Sequence, residues 1–454
     1  MIKIVLLGAG SSSFSVELLK DISAMPGLAG CSLALVDINE VKLNFALKLV
    51  TKYCDETGMQ INVTATTNRR EALVDADYVI CAVKIGGYDP LEQERLISEE
   101  LGYYRGVGDR VSCYYGGIGA YHQIRFLDDL AQDMMELCPD AWLVQTANPV
   151  FEATNYVTRY TSVKAVGVCH GHNGFKGIAR TIGIDPERTT AVVCGFNHYN
   201  YMKSFLYDGK DAYPLLDEWI EKHAEDYWNS DEYKTVKHIR APDHLARGAV
   251  DAYKLYGLMP IGDAVRAGSP WWHHTDLETK VKWYGTGGGF DSEVGWKLYL
   301  DDKDVQYEKL KETVEQGTPV LEMFGQSPTT EQHIPFIDSL ANDNDRILTL
   351  NVPNQGAIAG LPDDILVEIH VRCNGHGLFN LNMGAFPQKV MNNIMLPRLA
   401  RAENILDAYA RGDRSVLYLM VAEDPRTHSF EQAKNLVDTL LSLPWNEEAN
   451  KHYR

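Results

Sequence analysis

Ile2-Lys3-Ile4-Val5-Leu6-Leu7-Gly8-Ala9-Gly10-Ser11-Ser12-Ser13-Phe14 opens the chain and decides the reading of its fold. The first six residues form a nearly continuous apolar run, the pattern of a strand buried on both faces. Gly8 to Ser13 interrupt it, and Phe14, Leu18 and Ile22 then recur at helical spacing. Strand, glycine turn and helix in that order make a dinucleotide loop. Glycine lets the backbone approach a pyrophosphate, and the helix N-terminus stabilises its charge. Ser13 stands where the usual fingerprint has its third glycine. Asp37 closes the next β-rich run, where a carboxylate suits a ribose 2′-OH and repels a 2′-phosphate. NAD is therefore the expected cofactor. Gly8, Gly10, Ser11, Ser12, Ser13, Phe14 and Asp37 are its candidate contacts.

Further strands are expected over Ser32–Val36, Ile61–Ala65, Tyr78–Val83, Ala141–Thr146 and Ala165–Val168. Helical patterns cover Lys42–Tyr53, Ile124–Leu137 and Phe151–Tyr160. Strands alternating with helices at this spacing imply right-handed βαβ units. Residues 1–196 are thus expected to form a Rossmann-like, doubly wound parallel sheet. The pattern then changes. Asp217–Asp243 reads as a solvated helical segment, Ile347–Ile358 and Ile365–Val371 as strands, and Pro387–Leu443 as mostly helical. Residues 197–454 are expected to be a second, mixed α/β domain, as in the lactate/malate dehydrogenase type of fold. Its order of strand pairing is not legible.

Over 454 residues the net charge is −19. No cluster of Lys and Arg is present to meet a phosphate backbone, which excludes nucleic acid as the expected partner. Eight cysteines are scattered without a CxxC pair, a pattern of free thiols in a reducing compartment. The opening apolar run is too short for a signal peptide and leads straight into a turn. No apolar stretch reaches the roughly 18 residues of a membrane span. A cytoplasmic protein with no membrane partner is expected.

Val166-Gly167-Val168-Cys169-His170-Gly171-His172 ends one expected strand, Asn148-Pro149 follows the strand before, and Gly195-Phe196-Asn197-His198 ends the next. Ligands of open α/β sheets bind beyond the carboxyl ends of strands. A cysteine sulfur and an imidazole, with positions left open for a ligand's oxygens, suit a borderline divalent metal. Cys169 and His198 are the candidate pair.

These residues give the chain its resemblance to glycoside hydrolase family 4, the NAD- and metal-dependent glycosidases. The similarity runs through Gly8-Ala9-Gly10-Ser11, Ala76–Ile80, Gly86-Gly87, Gly116-Gly117, Asn148-Pro149, Cys169-His170-Gly171 and Asn197-His198. It continues in Gly262-Asp263-Ala264-Val265-Arg266, Asn351–Gly356, Leu361-Pro362 and Gly412-Asp413-Arg414. The resemblance implies a divalent metal, commonly manganese, at Cys169 and His198, with Asn148 and Asn197 contacting the sugar or completing the site. It implies hydride abstraction at C3, loss of the C2 proton, departure of the leaving group, addition of water and return of the hydride. Asp263 is the implied C2 base. His170 is the candidate acid or orienting group, since members acting on 6-phospho-α-glucosides carry Asp there. A homodimer or homotetramer is implied as well.

The four residues from Cys169 lack the Cys-Asp-x-Pro or Cys-Asn-x-Pro of phosphosugar members. They resemble the Cys-His-Gly type associated with α-uronides. An α-galacturonidase or α-glucuronidase is therefore expected, acting on a small α-linked uronide. Arg266 and His172 are the candidate partners of the uronate carboxylate, with His273 and His274 as outsiders. Three other readings stay open. A neutral α-glucosidase or α-galactosidase would cleave uncharged sugars. A 2-hydroxy-acid dehydrogenase would produce NADH from a hydroxy acid without a metal. A non-catalytic NAD-binding protein would show no turnover.

Overall fold

A computed structural model describes residues 1–105, 120–231, 233 and 243–454. Gly116-Gly117, Cys113 and the end of the Asp217–Asp243 segment lie outside the described residues. The described strands are β1 (Lys3–Leu7), β2 (Ser32–Val36), β3 (Asn62–Thr66), β4 (Tyr78–Cys81), β5 (Trp142–Gln145) and β6 (Lys164–Val168). They continue with β7 (Thr189–Phe196), β8 (Tyr199–Tyr207), β9 (Lys210–Asp211), β10 (Met259–Ile261), β11 (Arg346–Pro353), β12 (Leu366–Asn374) and β13 (Gly377–Asn380).

All of them join one sheet. Its first half is parallel in the order β3-β2-β1-β4-β5-β6, with helices between the strands, as expected of a dinucleotide-binding fold. The apolar runs follow from burial on both faces. Ile4 and Leu6 of β1 pack into one core cluster, while Val5 and Leu7 pack into another on the opposite face.

The second half is antiparallel and extends the same sheet as β6-β11-β12-β7-β8-β10. The division expected at residues 196/197 falls in the turn of the β7–β8 hairpin. β7 is not a sheet neighbour of β6, because β11 and β12 lie between them. Three antiparallel pairings separate the two, so β7 runs opposite to β6.

The expected strand Ile347–Ile358 stops at Pro353, after which Asn354 turns the chain. Its side-chain oxygen accepts from the Ile358 N–H at 2.7 Å. The segment expected from Asp217 to Asp243 is helical over Tyr213–Asn229. The C-terminal helices Leu396–Arg411, Arg414–Ala422 and Phe430–Leu441 build a separate core with Tyr103 and Tyr121. The seven described cysteines are free thiols. No helix among the described residues is long and apolar enough to cross a membrane.

Candidate active site

The glycine loop after β1 is a tight turn packed against its neighbours. Gly8 takes φ +91°, and a Cβ there would stand 2.9 Å from the Ala82 carbonyl oxygen. A Cβ on Gly10 would stand 2.9 Å from Cγ of Asp37, so only glycine fits against that carboxylate. The Gly10 N–H donates to Asp37 Oδ2 at 2.8 Å, and the Asn39 N–H to Oδ1 at 2.8 Å. The helix Ser12–Ser23 begins at Ser11 with no side chain capping its N–H groups. Ser11 and Ser13 are exposed, Ser12 is buried, and the half-buried Phe14 meets His333 edge-on at 5.4 Å.

Beyond the ends of β5 and β6 lie Asn148, half-buried, and Cys169. Burial pushes the Cys169 thiol up, helped by the charges of Glu368 and Asp263 and opposed by hydrogen bonds involving Gly171 and Asn197. Such a thiol stays protonated unless a cation compensates it. His198 makes the β7–β8 turn in the left-handed conformation, φ +63°, with Nε2 3.4 Å from Asp263 Oδ2. The structure thus brings Cys169, Asn197, His198 and Asp263 together. Among the described residues no three His, Cys, Asp or Glu side chains converge as a metal cage. A cation here would take two protein donors, Cys169 and His198, and keep open positions. The acidic surroundings suit a positive charge.

Asp263 precedes the short helix Ala264–Ala267, which folds Arg266 back onto it. The Arg266 guanidinium donates to Asp263 and lies 3.1 Å from Asp291. Burial alone would raise the Asp263 carboxyl, but the charges of His198 and Arg266 outweigh it and hold it down to about 2. His170 is exposed, with Nδ1 3.3 Å from Glu331 Oε1. That hydrogen bond raises it against the pull of burial.

The four expected carboxylate partners all have other engagements. Arg266 faces two carboxylates of its own chain. The His172 Nδ1 lies 3.1 Å from the Cys169 carbonyl oxygen, and burial pushes the ring down to about 4, so it is neutral near pH 7. His273 pairs with Asp251 at 3.0 Å, and His274 with Ser269 Oγ at 2.6 Å.

Two residues that sequence reasoning passed over are central. Glu368 of β12 is fully buried and accepts from Nδ2 of Asn197 at 2.9 Å, Asn200 at 2.7 Å and Asn351 at 3.1 Å. The signal was a lone carboxylate within the apolar start Leu366-Val367-Glu368-Ile369 of a strand. Glu331 has no comparable signal, since it lies in a loop and meets His170 only in the fold.

The model of the family 4 glycosyl hydrolases matches residues 3–184, and that of the family's C-terminal domain matches residues 193–427. A Bacillus subtilis protein named probable 6-phospho-β-glucosidase is 28% identical over 100% of this chain and 97% of its own length. An α-galacturonidase of Thermoanaerobacterium saccharolyticum is 24% identical over 97% of this chain and 95% of its own. The solved structure of a 6-phospho-α-glucosidase from gut microorganisms, in complex with NAD and Mn2+, superposes with a TM-score of 0.74 at 18% identity. It covers 100% of this chain and 99% of that one, and at this identity it establishes the shared fold alone.

Proposed function

The chain belongs to family 4 of the glycosyl hydrolases, and on that footing we propose that it is an NAD- and manganese-dependent glycosidase acting on α-uronides. The observation that carries the reading is the convergence of Cys169, His198 and Asp263, in a chain whose first strand ends in a tight glycine turn. The likeness to a solved complex with NAD and Mn2+ supports the cofactor choice.

Gly8, Gly10 and the uncapped start of the helix Ser12–Ser23 would hold the pyrophosphate, with Ser11, Ser12, Ser13 and Phe14 along its path. Asp37 would meet the ribose. Cys169 and His198 would hold the metal, with Asn148 and Asn197 fixing sugar hydroxyls beside it. When bound, NAD supplies reversible hydride acceptance and the cation supplies Lewis-acid stabilisation of oxygens on the sugar. Asp263, kept ionised by Arg266, accepts the proton from C2 of the sugar. Arg266 acts by orienting that carboxylate. His170, steered by Glu331, delivers a proton to the departing oxygen. The family stands apart from glycosidases that use two opposed carboxylates.

The uronide assignment draws on the Cys169-His170-Gly171-His172 pattern and on relatives named α-galacturonidase, four of which are 22–24% identical to this chain. Arg266 and His172 lend it no free positive charge. We take the enzyme to be cytoplasmic and homo-oligomeric, in keeping with its free thiols and its family.

The test is substrate choice. The protein with NAD, manganese and reductant is offered p-nitrophenyl α-D-galacturonide and α-D-glucuronide beside α-glucoside, α-galactoside and 6-phospho-β-glucoside. Release from a uronide that disappears without NAD or with chelator is the expected result. Release confined to a neutral or phosphorylated sugar would overturn the uronide assignment and leave the redox mechanism standing.

A further inference from the structure

The loop bearing Cys169 and the loop bearing Asp263 come from distant parts of the chain, and one half-buried residue touches both. The His244 Nε2 accepts the Gly262 N–H at 2.9 Å, directly before Asp263. The same ring packs on Gly174, where a Cβ would stand 2.6 Å from Cε1 and 2.8 Å from Cδ2. Gly174 begins the helix Gly174–Thr181, five residues after Cys169. The two loops also meet backbone to backbone. Gly262 takes φ +63°, and a Cβ on it would stand 3.0 Å from Cα of Gly171 and 3.1 Å from its carbonyl oxygen.

We infer that His244 is a positioning residue, which clamps the Asp263 loop in register with the Cys169 loop by accepting the Gly262 N–H while wedged against Gly174. The clamp acts on the reacting groups only through Gly262 and Gly174. Its catalytic consequence rests on the reading of Asp263 as the C2 base, but the clamp itself does not. Because Nε2 is the acceptor, the ring's proton sits on Nδ1. Burial pushes the imidazole down to about 4, so this neutral form persists near pH 7. The geometry also gives Gly174 a reason unrelated to the sugar. It is glycine because His244 fills the space where its Cβ would be.

Amide hydrogen exchange of the free protein, read by mass spectrometry on a peptide spanning Met259–Arg266, tests the clamp without cofactor or substrate. His244→Gln keeps an acceptor near the position of Nε2, whereas His244→Leu keeps bulk and removes the acceptor. The clamp predicts protection in the wild type and in His244→Gln, and exchange at Gly262 roughly ten-fold faster or more in His244→Leu. Gly174→Ala should speed the same exchange by displacing the ring, and should add nothing in a His244→Ala background. This second arm decides the matter even if His244→Leu does not fold. In turnover, His244→Leu should lower kcat with little change in KM, and His244→Gln should restore it.

Equal exchange in wild type, Gln and Leu variants, or additive effects of Gly174→Ala and His244→Ala, would overturn the clamp. If the exchange pattern holds but wild-type protein with NAD and manganese cleaves none of the α- or β-glycosides offered, the base reading fails and the clamp stands.

Discussion

The Asn197 Nδ2 donates to Glu368 Oε2 across 2.9 Å, joining the turn that carries His198 to a fully buried carboxylate. Asn200 and Asn351 donate to the same group, so three strands are tied through one side chain. Removing that acceptor strands the buried amides of Asn197 and Asn200 at roughly 1–3 kcal/mol each and leaves that of Asn351 only the Gly167 carbonyl oxygen at 3.4 Å. Glu368→Ala should therefore lower the unfolding free energy by about 3 kcal/mol or more in urea titration. By releasing Asn197 and removing a negative charge near Cys169, it should also weaken manganese binding about ten-fold by calorimetry. A variant with unchanged stability and unchanged metal affinity would show that Glu368 is a spectator.

Arg266 is held between Asp263 and Asp291, with its side chain only 11% exposed. Its removal leaves two carboxylates facing each other without a cation, a loss of about 3–5 kcal/mol for a buried pair. Arg266→Met should unfold at lower urea and lose about 100-fold in kcat, since Asp263 is no longer held in place. Arg266→Lys restores charge but not the two-sided fork, and should recover stability better than turnover. Turnover equal to wild type in Arg266→Met would separate Arg266 from the chemistry.

The parallel half of the sheet was legible because its information is local. The run Ile4–Leu7 has the pattern of a strand buried on both faces, and Gly8 to Gly10, placed between it and a helical pattern, that of a tight turn. Motifs that travel with a family pointed to Cys169, His198 and Asp263, which the structure brings together. No motif pointed to Glu331, Glu368 or His244, because each acts on groups it meets only in the fold, from Gly262, 18 residues from His244, to Asn197, 171 residues from Glu368. Strand order past residue 197 was hidden for the same reason. β11 and β12 insert between β6 and β7, and antiparallel pairing over such distances leaves no local periodicity to distinguish neighbours. The expected carboxylate role of Arg266 and His172 came from residue type alone. Type does not reveal that one is matched by two acids and the other is neutral.

His333 and His244 give stability a defined pH dependence. Burial pushes each from the ordinary 6.5 down to about 4, opposed by Glu331 at His333 and by Asp263 at His244. Nearby His170 and Arg266 respectively push them further down. Between those values the unfolded chain binds more protons than the folded one, so stability rises with pH across the interval. The contribution is fully present above about pH 6.5 and is lost as pH falls through 4. At some 2.5 pH units, each histidine is worth up to about 3 kcal/mol. Urea midpoints measured from pH 7 to pH 4 should fall accordingly, and His333→Phe should flatten part of the slope. The same slope in wild type and variant would assign the acid sensitivity elsewhere.

Asp37 combines two tasks, and a single substitution should disturb both. Its Oδ2 holds the Gly10 N–H and its Oδ1 the Asn39 N–H, so the carboxylate braces the glycine loop before any cofactor arrives. It also places a negative charge at the end of β2, where a 2′-phosphate would be repelled and a 2′-hydroxyl accepted. Asp37→Ala removes the brace, the ribose acceptor and the repulsion together. NAD affinity, followed by quenching of intrinsic fluorescence, should fall about ten-fold, the equivalent of about 1.4 kcal/mol. NADP affinity should fall far less or rise, because the lost repulsion compensates for the looser loop. Equal losses for both dinucleotides would assign Asp37 to the loop alone, and selection against the 2′-phosphate would then have to come from another residue.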